Sequence, residues 1–327
     1  MLNKITIISD CSRAYSLPMT IMSWLVIFTY ACFESGNILY GVLSLIGLCA
    51  AHLGTNVLDD FFDYKFLIKQ VGFDKHEYLK NTQKTKCRHL ISGIVSEKEI
   101  LTLAGFYFAL AAFIGLFFYK LCGTTVLYFA AGGGILAVLY PILSRFRLSE
   151  FAVGITYGPL LFGGVYYVMT KTISPEVFWL SLPTMFVTII LLYIHTIMDF
   201  DFDLKEGHLT VANIFDSQLD SLIVLKIFTI IAYASLVFLC ILDILDWQIL
   251  LVFLTIPLSV DLYKSMKDFS IDTESIPEHK WYHFPMENMK HIAKIGAASF
   301  MIRIYQSRNL MIYFGILLSI AIILEQM

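Results

Sequence analysis

Two short acidic stretches carry the residue types best able to do chemistry. The first is Asn56-Val57-Leu58-Asp59-Asp60-Phe61-Phe62-Asp63, inside the longer stretch His52 to Arg88. On a helix, Asn56, Asp60 and Asp63 are spaced by four and three residues and share a face, with Asp59 adjoining it. Carboxylates this close repel one another unless a cation lies among them. Oxygen ligands at this density suit a hard divalent ion such as Mg²⁺, which commonly bridges carboxylates to phosphate groups. Taken alone, the stretch also reads as a solvated acidic helix end following a membrane span.

The second stretch, His195 to Gly207, places Asp199 and Asp203 four apart, again after a long apolar run. His52, Asn56 and Asp60 step by four, and so do His195, Asp199 and Asp203. This reads as an internal repeat, with two half-sites facing one pocket, a common membrane-protein plan. Asp201 falls on the opposite helix face from Asp199 and Asp203. His195 has two readings: a histidine satisfied by a neighbouring backbone or side chain, or a group that binds an acceptor or removes its proton one turn above Asp199. His52 holds the matching place in the first half.

The elements that must position these residues are membrane helices. Of 327 residues 58% are hydrophobic and only 15% charged, more apolar surface than a soluble domain can hide. A bilayer needs about 20 apolar residues per helix. Nine spans are predicted, at 16–33, 38–58, 100–120, 124–141, 151–170, 177–198, 221–242, 247–263 and 308–325. Arg303 and Arg308 interrupt the run before the last, and residues 285–305 are expected to form an interfacial amphipathic helix leading into it. The fold class is therefore all-α: a polytopic membrane bundle in two pseudo-repeated halves, forming a single domain over 1–327.

With nine spans, only Lys120 and Lys171 of the 23 Lys and Arg residues fall on one side. The positive-inside rule then puts the N-terminus and both acidic stretches in the cytoplasm, in a cell or inner membrane. A long loop, residues 64–98, lies on that side over the acidic residues, and loops of this length are usually functional or disordered. Ser96 and Glu99 form a capping box that starts the third span. Arg145 and Arg147 serve either as topological anchors or as phosphate ligands. Glycines 154, 158, 163 and 164 read as close helix packing or as room for a substrate chain. The six cysteines lack zinc-type spacing and read as small core residues. A net charge of −3 argues against nucleic acid as a partner, and residues 268–285 form no assignable pattern.

Four features, in order across residues 16–325, resemble the UbiA superfamily of membrane prenyltransferases: Asn56 to Lys65; Arg88-His89-Leu90-Ile91-Ser92-Gly93-Ile94-Val95-Ser96; Tyr140-Pro141 with Arg145; and Asp199-x-x-x-Asp203-x-x-x-Gly207-x-x-Thr210. Glu150 to Ser174, with Tyr157-Gly158-Pro159 and Tyr166-Tyr167, further resembles the menaquinone branch, which prenylates dihydroxynaphthoate. Three departures leave the acceptor open. Asp59 stands where the family often has Asn. His195-Thr196 and Met198 replace that branch's usual Asn and basic residue. The Tyr140 pattern looks like other branches.

The resemblance implies a bundle of nine transmembrane helices around a central cavity, and a Mg²⁺-dependent enzyme that moves a polyprenyl group from its diphosphate to an aromatic or quinone-precursor acceptor. Asn56, Asp59, Asp60, Asp63, Asp199 and Asp203 would hold metal, with Asp60, Asp63, Asp199, Asp203 and His195 as catalytic groups. A diphosphate carries about three negative charges and cannot sit beside several aspartates without cations between them. Lys65, Arg88, Arg145 and Lys205 would bind it. Tyr140, Tyr157, Tyr166 and Tyr193 would face the substrate and its developing cation. Two alternatives stand: a membrane terpene cyclase of the same superfamily, and a transporter with acidic sites at a repeat interface.

Overall fold

The computed structural model describes residues 4–70, 72–80, 87–143, 146–206, 209–287, 289–294 and 296–327. Among them all regular structure is helical, and nine helices build the bundle: α1 (Ala14–Phe33), α2 (Ile38–Leu67), α3 (Glu97–Cys122), α4 (Thr125–Leu143), α5 (Ser149–Thr170), α6 (Pro175–Met198), α7 (Gln218–Ile241), α8 (Trp247–Ile271) and α9 (Ala298–Glu325). Eight are long and apolar enough to cross a membrane, and α4 contributes the shorter apolar stretch Thr125–Tyr140. The nine-helix expectation therefore holds, with one short member.

Local sequence sets where these helices begin. The Asn37 side chain accepts the Tyr40 N–H at the start of α2, and Ser174 accepts that of Glu176 ahead of Pro175 at the start of α6. Ser217 does the same for Asp220 at α7. Ser96 and Glu99 form the expected reciprocal box before α3. Each side chain satisfies a backbone donor that the first turn leaves open.

Contacts between helices define two ends of the bundle. At one end, Asn37 N–H donates to the Met169 carbonyl, Tyr167 Oη to the Cys122 carbonyl, and Tyr30 Oη to Glu176. At the other lie Arg13, the acidic end of α2, the start of α3, and the meeting of Arg147 N–H with the Leu209 carbonyl. Helices α2 and α6 both run toward this second end, so both acidic stretches lie there. Their local structures differ. The first lies within one continuous helix, α2, whereas α6 stops at Met198 and a new helix, Phe200–Glu206, carries Asp201 and Asp203.

α5 sits between the two acidic stretches. Pro159 removes a backbone donor, and the helix passes through a π-type turn, Thr156–Leu160, with Gly158 at φ −92° and ψ −107°. Such bulges often mark functional sites. The close-packing reading of the glycines holds at Gly154 and Gly163: a Cβ on Gly154 would lie 2.6 Å from Ile189 Cδ1, and one on Gly163 2.5 Å from Phe129 Cε1.

The C-terminal third departs from expectation. Among the described residues no single helix covers 285–305. A short helix, Met289–Lys294, precedes α9, which begins at Ala298 and includes both arginines as buried residues. Arg303 is fully buried yet satisfied: Nε donates to the Ser265 carbonyl at 2.8 Å, and Nη1 to the carbonyls of Ser275 at 2.9 Å and Ser299 at 2.6 Å. Its guanidinium carbon also lies 4.9 Å from the centre of the Phe269 ring. Arg308 binds Glu287 and the Pro285 carbonyl, and Asn309 binds the carbonyls of His283 and Pro285. The segment without a pattern in sequence is thus a strap tied to α9 through backbone oxygens. Arg303→Ala should lower the melting temperature in detergent, corresponding to a loss on the order of 3 kcal/mol, because three carbonyls, two of them buried, lose a charged donor. Arg303→Lys should recover only part, since an ammonium cannot reproduce the fork.

Candidate active site

The first acidic stretch is closed around a cation supplied by the chain itself. Asp59 and Asp60 are both buried, and the Arg13 guanidinium bridges them: Nη2 donates to Asp59 Oδ2 at 3.2 Å and also to Asp60 Oδ1. Burial opposes the charge on Arg13, but the two carboxylates outweigh it and hold the guanidinium firmly protonated. Its Nε is buried without a hydrogen-bond partner. The Cys87 N–H donates to Asp60 Oδ2 at 3.2 Å, so the loop after α2 also rests on this residue. Asn56 is held by its amide nitrogen, which donates to the Ser12 carbonyl and to Ser16 Oγ, each at 3.0 Å. Its carbonyl oxygen is then the atom to offer a ligand.

One turn deeper, His52 is buried with both ring nitrogens engaged. Ser16 Oγ lies 2.9 Å from Nε2 and Thr20 Oγ1 lies 2.6 Å from Nδ1. The Tyr157 ring meets the imidazole edge-on at 5.4 Å, and its hydroxyl pairs with Thr20. Tyr140 and Cys49 lie close enough to act on that hydroxyl electrostatically. Tyr140 and Tyr157 are therefore brought together beside the acidic end of α2, at the π-type turn of α5.

In the second stretch, Asp199 and Asp203 are half-buried, while Asp201 is exposed, as its helix face predicts. His195 Nδ1 lies 3.0 Å from the Leu191 carbonyl. A carbonyl only accepts, so Nδ1 carries the proton and Nε2 is the basic nitrogen. Glu150, fully buried, joins the start of α5 to the segment after this stretch: Ser149 Oγ donates to Oε2 at 2.9 Å and Val211 N–H to Oε1 at 3.4 Å.

The other expected residues divide between those near the acids and those turned away from them. Lys65 pairs with Glu97 at 2.5 Å, both about 40% exposed, because its position on α2 turns it toward the start of α3. The Arg88 Nη2 donates to the Leu79 carbonyl at 2.8 Å. Tyr193 is buried between α6 and α7, with its hydroxyl on the Ser221 carbonyl at 2.9 Å and its ring against Phe228, which leaves no face for a substrate. Tyr166 stands beside Tyr30, near the opposite end of the bundle from the acids. Asp63 is half-buried at the end of α2. Arg145 and the Lys205 side chain lie outside the described residues. Sequence reasoning missed Arg13, the His52 partners and Glu150. A lone arginine ahead of a first span gives no local sign that it reaches back to an aspartate pair.

Residues 17–284 match the model of the UbiA prenyltransferase family. The chain belongs to this family. A 4-hydroxybenzoate octaprenyltransferase from Shewanella woodyi is 27% identical over 178 residues, 53% of this chain, and the match spans only about half of that enzyme's length, 55%. In fold, the chain is similar to a UbiA homolog from Archaeoglobus fulgidus bound to GPP and Mg²⁺ (TM-score 0.57, 11% identity, 93% of this chain and 99% of that one). The same holds for the DMAPP and Mg²⁺ complex (TM-score 0.57, 11% identity, 93% and 98%). A digeranylgeranylglyceryl phosphate synthase structure aligns comparably (TM-score 0.56, 15% identity, 96% and 98%).

Donor chemistry at the first motif fits Mg²⁺. Two buried carboxylates and an amide oxygen are hard ligands, and the pair has already drawn a cation. Among the described residues, no three His, Cys, Asp or Glu side chains stand close enough to hold a metal by themselves. The three close carboxylates expected from spacing therefore do not form a closed cage. An open set of one or two carboxylates completed by phosphate oxygens is the usual Mg²⁺ arrangement. His52→Leu should destabilise the protein by about 1–3 kcal/mol, because Ser16 and Thr20 lose a buried partner. Lys65→Ala should change it by less than about 1 kcal/mol, as for exposed ion pairs generally. Thermal melting in detergent checks both.

Proposed function

We propose that the protein is an integral-membrane prenyltransferase that moves a polyprenyl group from its diphosphate to an aromatic or quinone-precursor acceptor. The observation that carries this reading is the buried Asp59–Asp60 pair, bridged by a cation at the same end of the bundle as Asp199 and Asp203. Family membership and the prenyl diphosphate and Mg²⁺ bound in similar folds support the donor. The octaprenyltransferase relative supports an aromatic acceptor.

On this reading Asn56, Asp59, Asp60 and Asp63 form one half-site, and Asp199 and Asp203 the other. Mg²⁺, when bound, neutralises the diphosphate and stabilises it as a leaving group. Arg88, Arg145 and Lys205 hold phosphate oxygens. The C1–O bond breaks with its electron pair going to the diphosphate oxygen, and C1 becomes an allylic cation. Tyr140 and Tyr157 present aromatic faces that favour this cation. His52, with both nitrogens engaged by hydroxyls, is kept from trapping it. The acceptor carbon then bonds to C1, and His195 Nε2 takes the proton that the acceptor loses.

The whole chain acts as one domain, with the described part of residues 64–98 returning to the site through the Cys87 N–H on Asp60. The concentration of Lys and Arg at the acidic end orients that end to the cytoplasm of a cell or inner membrane.

Asp60→Ala and Asp199→Ala should each abolish turnover while the protein remains inserted; full activity in either removes the site. EDTA should stop turnover and Mg²⁺ restore it. Donors of graded chain length, crossed with aromatic acceptors and read by mass, should give a prenylated acceptor and free diphosphate in detergent without any gradient. A cyclic hydrocarbon formed without acceptor would instead mark a cyclase, and absence of diphosphate release a transporter.

A further inference from the structure

We propose that Arg13 is a built-in counter-cation that occupies the first acidic motif until a diphosphate arrives, so that divalent metal and donor enter together. This rests on the motif being the metal–diphosphate site.

Asp59 and Asp60 are buried side by side, and two such carboxylates need a compensating charge. Arg13 supplies it from outside α2. Together with the Cys87 N–H it engages both oxygens of Asp60, the atoms a metal would need. A divalent ion approaching this pair meets a guanidinium already in place and is repelled by it. The arginine therefore has to leave before the metal can bind.

Three features suit Arg13 to leaving. Its backbone is left-handed, φ 48° and ψ 48°, a conformation uncommon for a non-glycine residue. It sits at the junction between the helix Lys4–Cys11 and the tight turn that opens α1. Its buried Nε has no partner, so the guanidinium keeps a donor that the carboxylates do not use. A diphosphate offers oxygens that match the guanidinium fork. Transfer of Arg13 from carboxylate to phosphate would free Asp59 and Asp60 for the metal and satisfy the orphaned donor at once. The same turn anchors Asn56 through the Ser12 carbonyl and Ser16 Oγ, so displacement of Arg13 is felt by all three residues. The N-terminal helix is itself tied down, with Asp10 Oδ2 at 3.3 Å from His89 Nε2. The device is thus a short junction moving between two fixed segments.

The test is Mn²⁺ binding to the purified full-length protein without any donor, read by electron paramagnetic resonance of the free ion. Wild type should bind weakly. R13Q should bind about tenfold more tightly, within the usual range for coupled sites. R13K, which keeps the charge, should stay near wild type. The gain should vanish in the R13Q/D60N double variant. Thermal melting gives a second readout: Mn²⁺ should raise the melting temperature of R13Q and leave that of wild type unchanged, even if R13Q begins less stable. Equal Mn²⁺ affinity in wild type and R13Q, or equal melting shifts, overturns the proposal. That outcome alongside an inactive Asp60→Ala variant removes only the role of Arg13; an active Asp60→Ala variant removes the site itself.

Discussion

Negative charge concentrated at one end of an apolar bundle is the constraint on which the rest depends. Carboxylates at Asp59 and Asp60 are shielded from water and cannot be left uncompensated. The chain answers with Arg13 on one side and the Cys87 N–H on the other. That answer dictates several longer-range features. α2 runs for 30 residues, well past the apolar stretch that crosses the membrane, so that the acids are carried to its end. The N-terminal helix folds back over them, and the loop beyond α2 returns to the same place.

The same physics recurs at the other polar cluster. Arg303 is satisfied by three backbone carbonyls and by the hydroxyls of Ser275 and Ser299, which is how its charge survives burial. Its bonds tie residues 265, 275 and 299 together and set the start of α9, which packs against α1, α6 and α8. Helices α1 and α6 also contact the kinked α5. The strap at 272–287 therefore helps hold the frame on which Tyr157 and His52 meet, although it contributes nothing to that cluster directly.

Much of this was legible in the sequence. Helix number and order follow from the apolar runs, and the capping at Ser96 and Glu99 from side chains that serve local donors. The acidic motifs stood out because their spacing is a helix period. Asp201 turned outward for the same reason. The residues that resisted reading are those whose roles depend on distant partners. Lys65 looks like a phosphate ligand until Glu97, on another helix, is placed beside it. Tyr193 and Tyr166 are aromatic residues in spans, and nothing local distinguishes one that lines a site from one in a helix contact or at the far end. Arg303 and Arg308 interrupt an apolar run, which suggests a helix end; only the strap makes their burial tolerable. Arg13 went unread because its partners lie 46 and 47 residues away.

A structure with Mg²⁺ and a non-hydrolysable prenyl thiodiphosphate decides whether the acidic end of the bundle is the reaction centre. The diphosphate should lie between the acidic end of α2 and the helix Phe200–Glu206, with metal ions on Asp60 and Asp203. A diphosphate bound elsewhere, or metal density that neither aspartate touches, would contradict that placement.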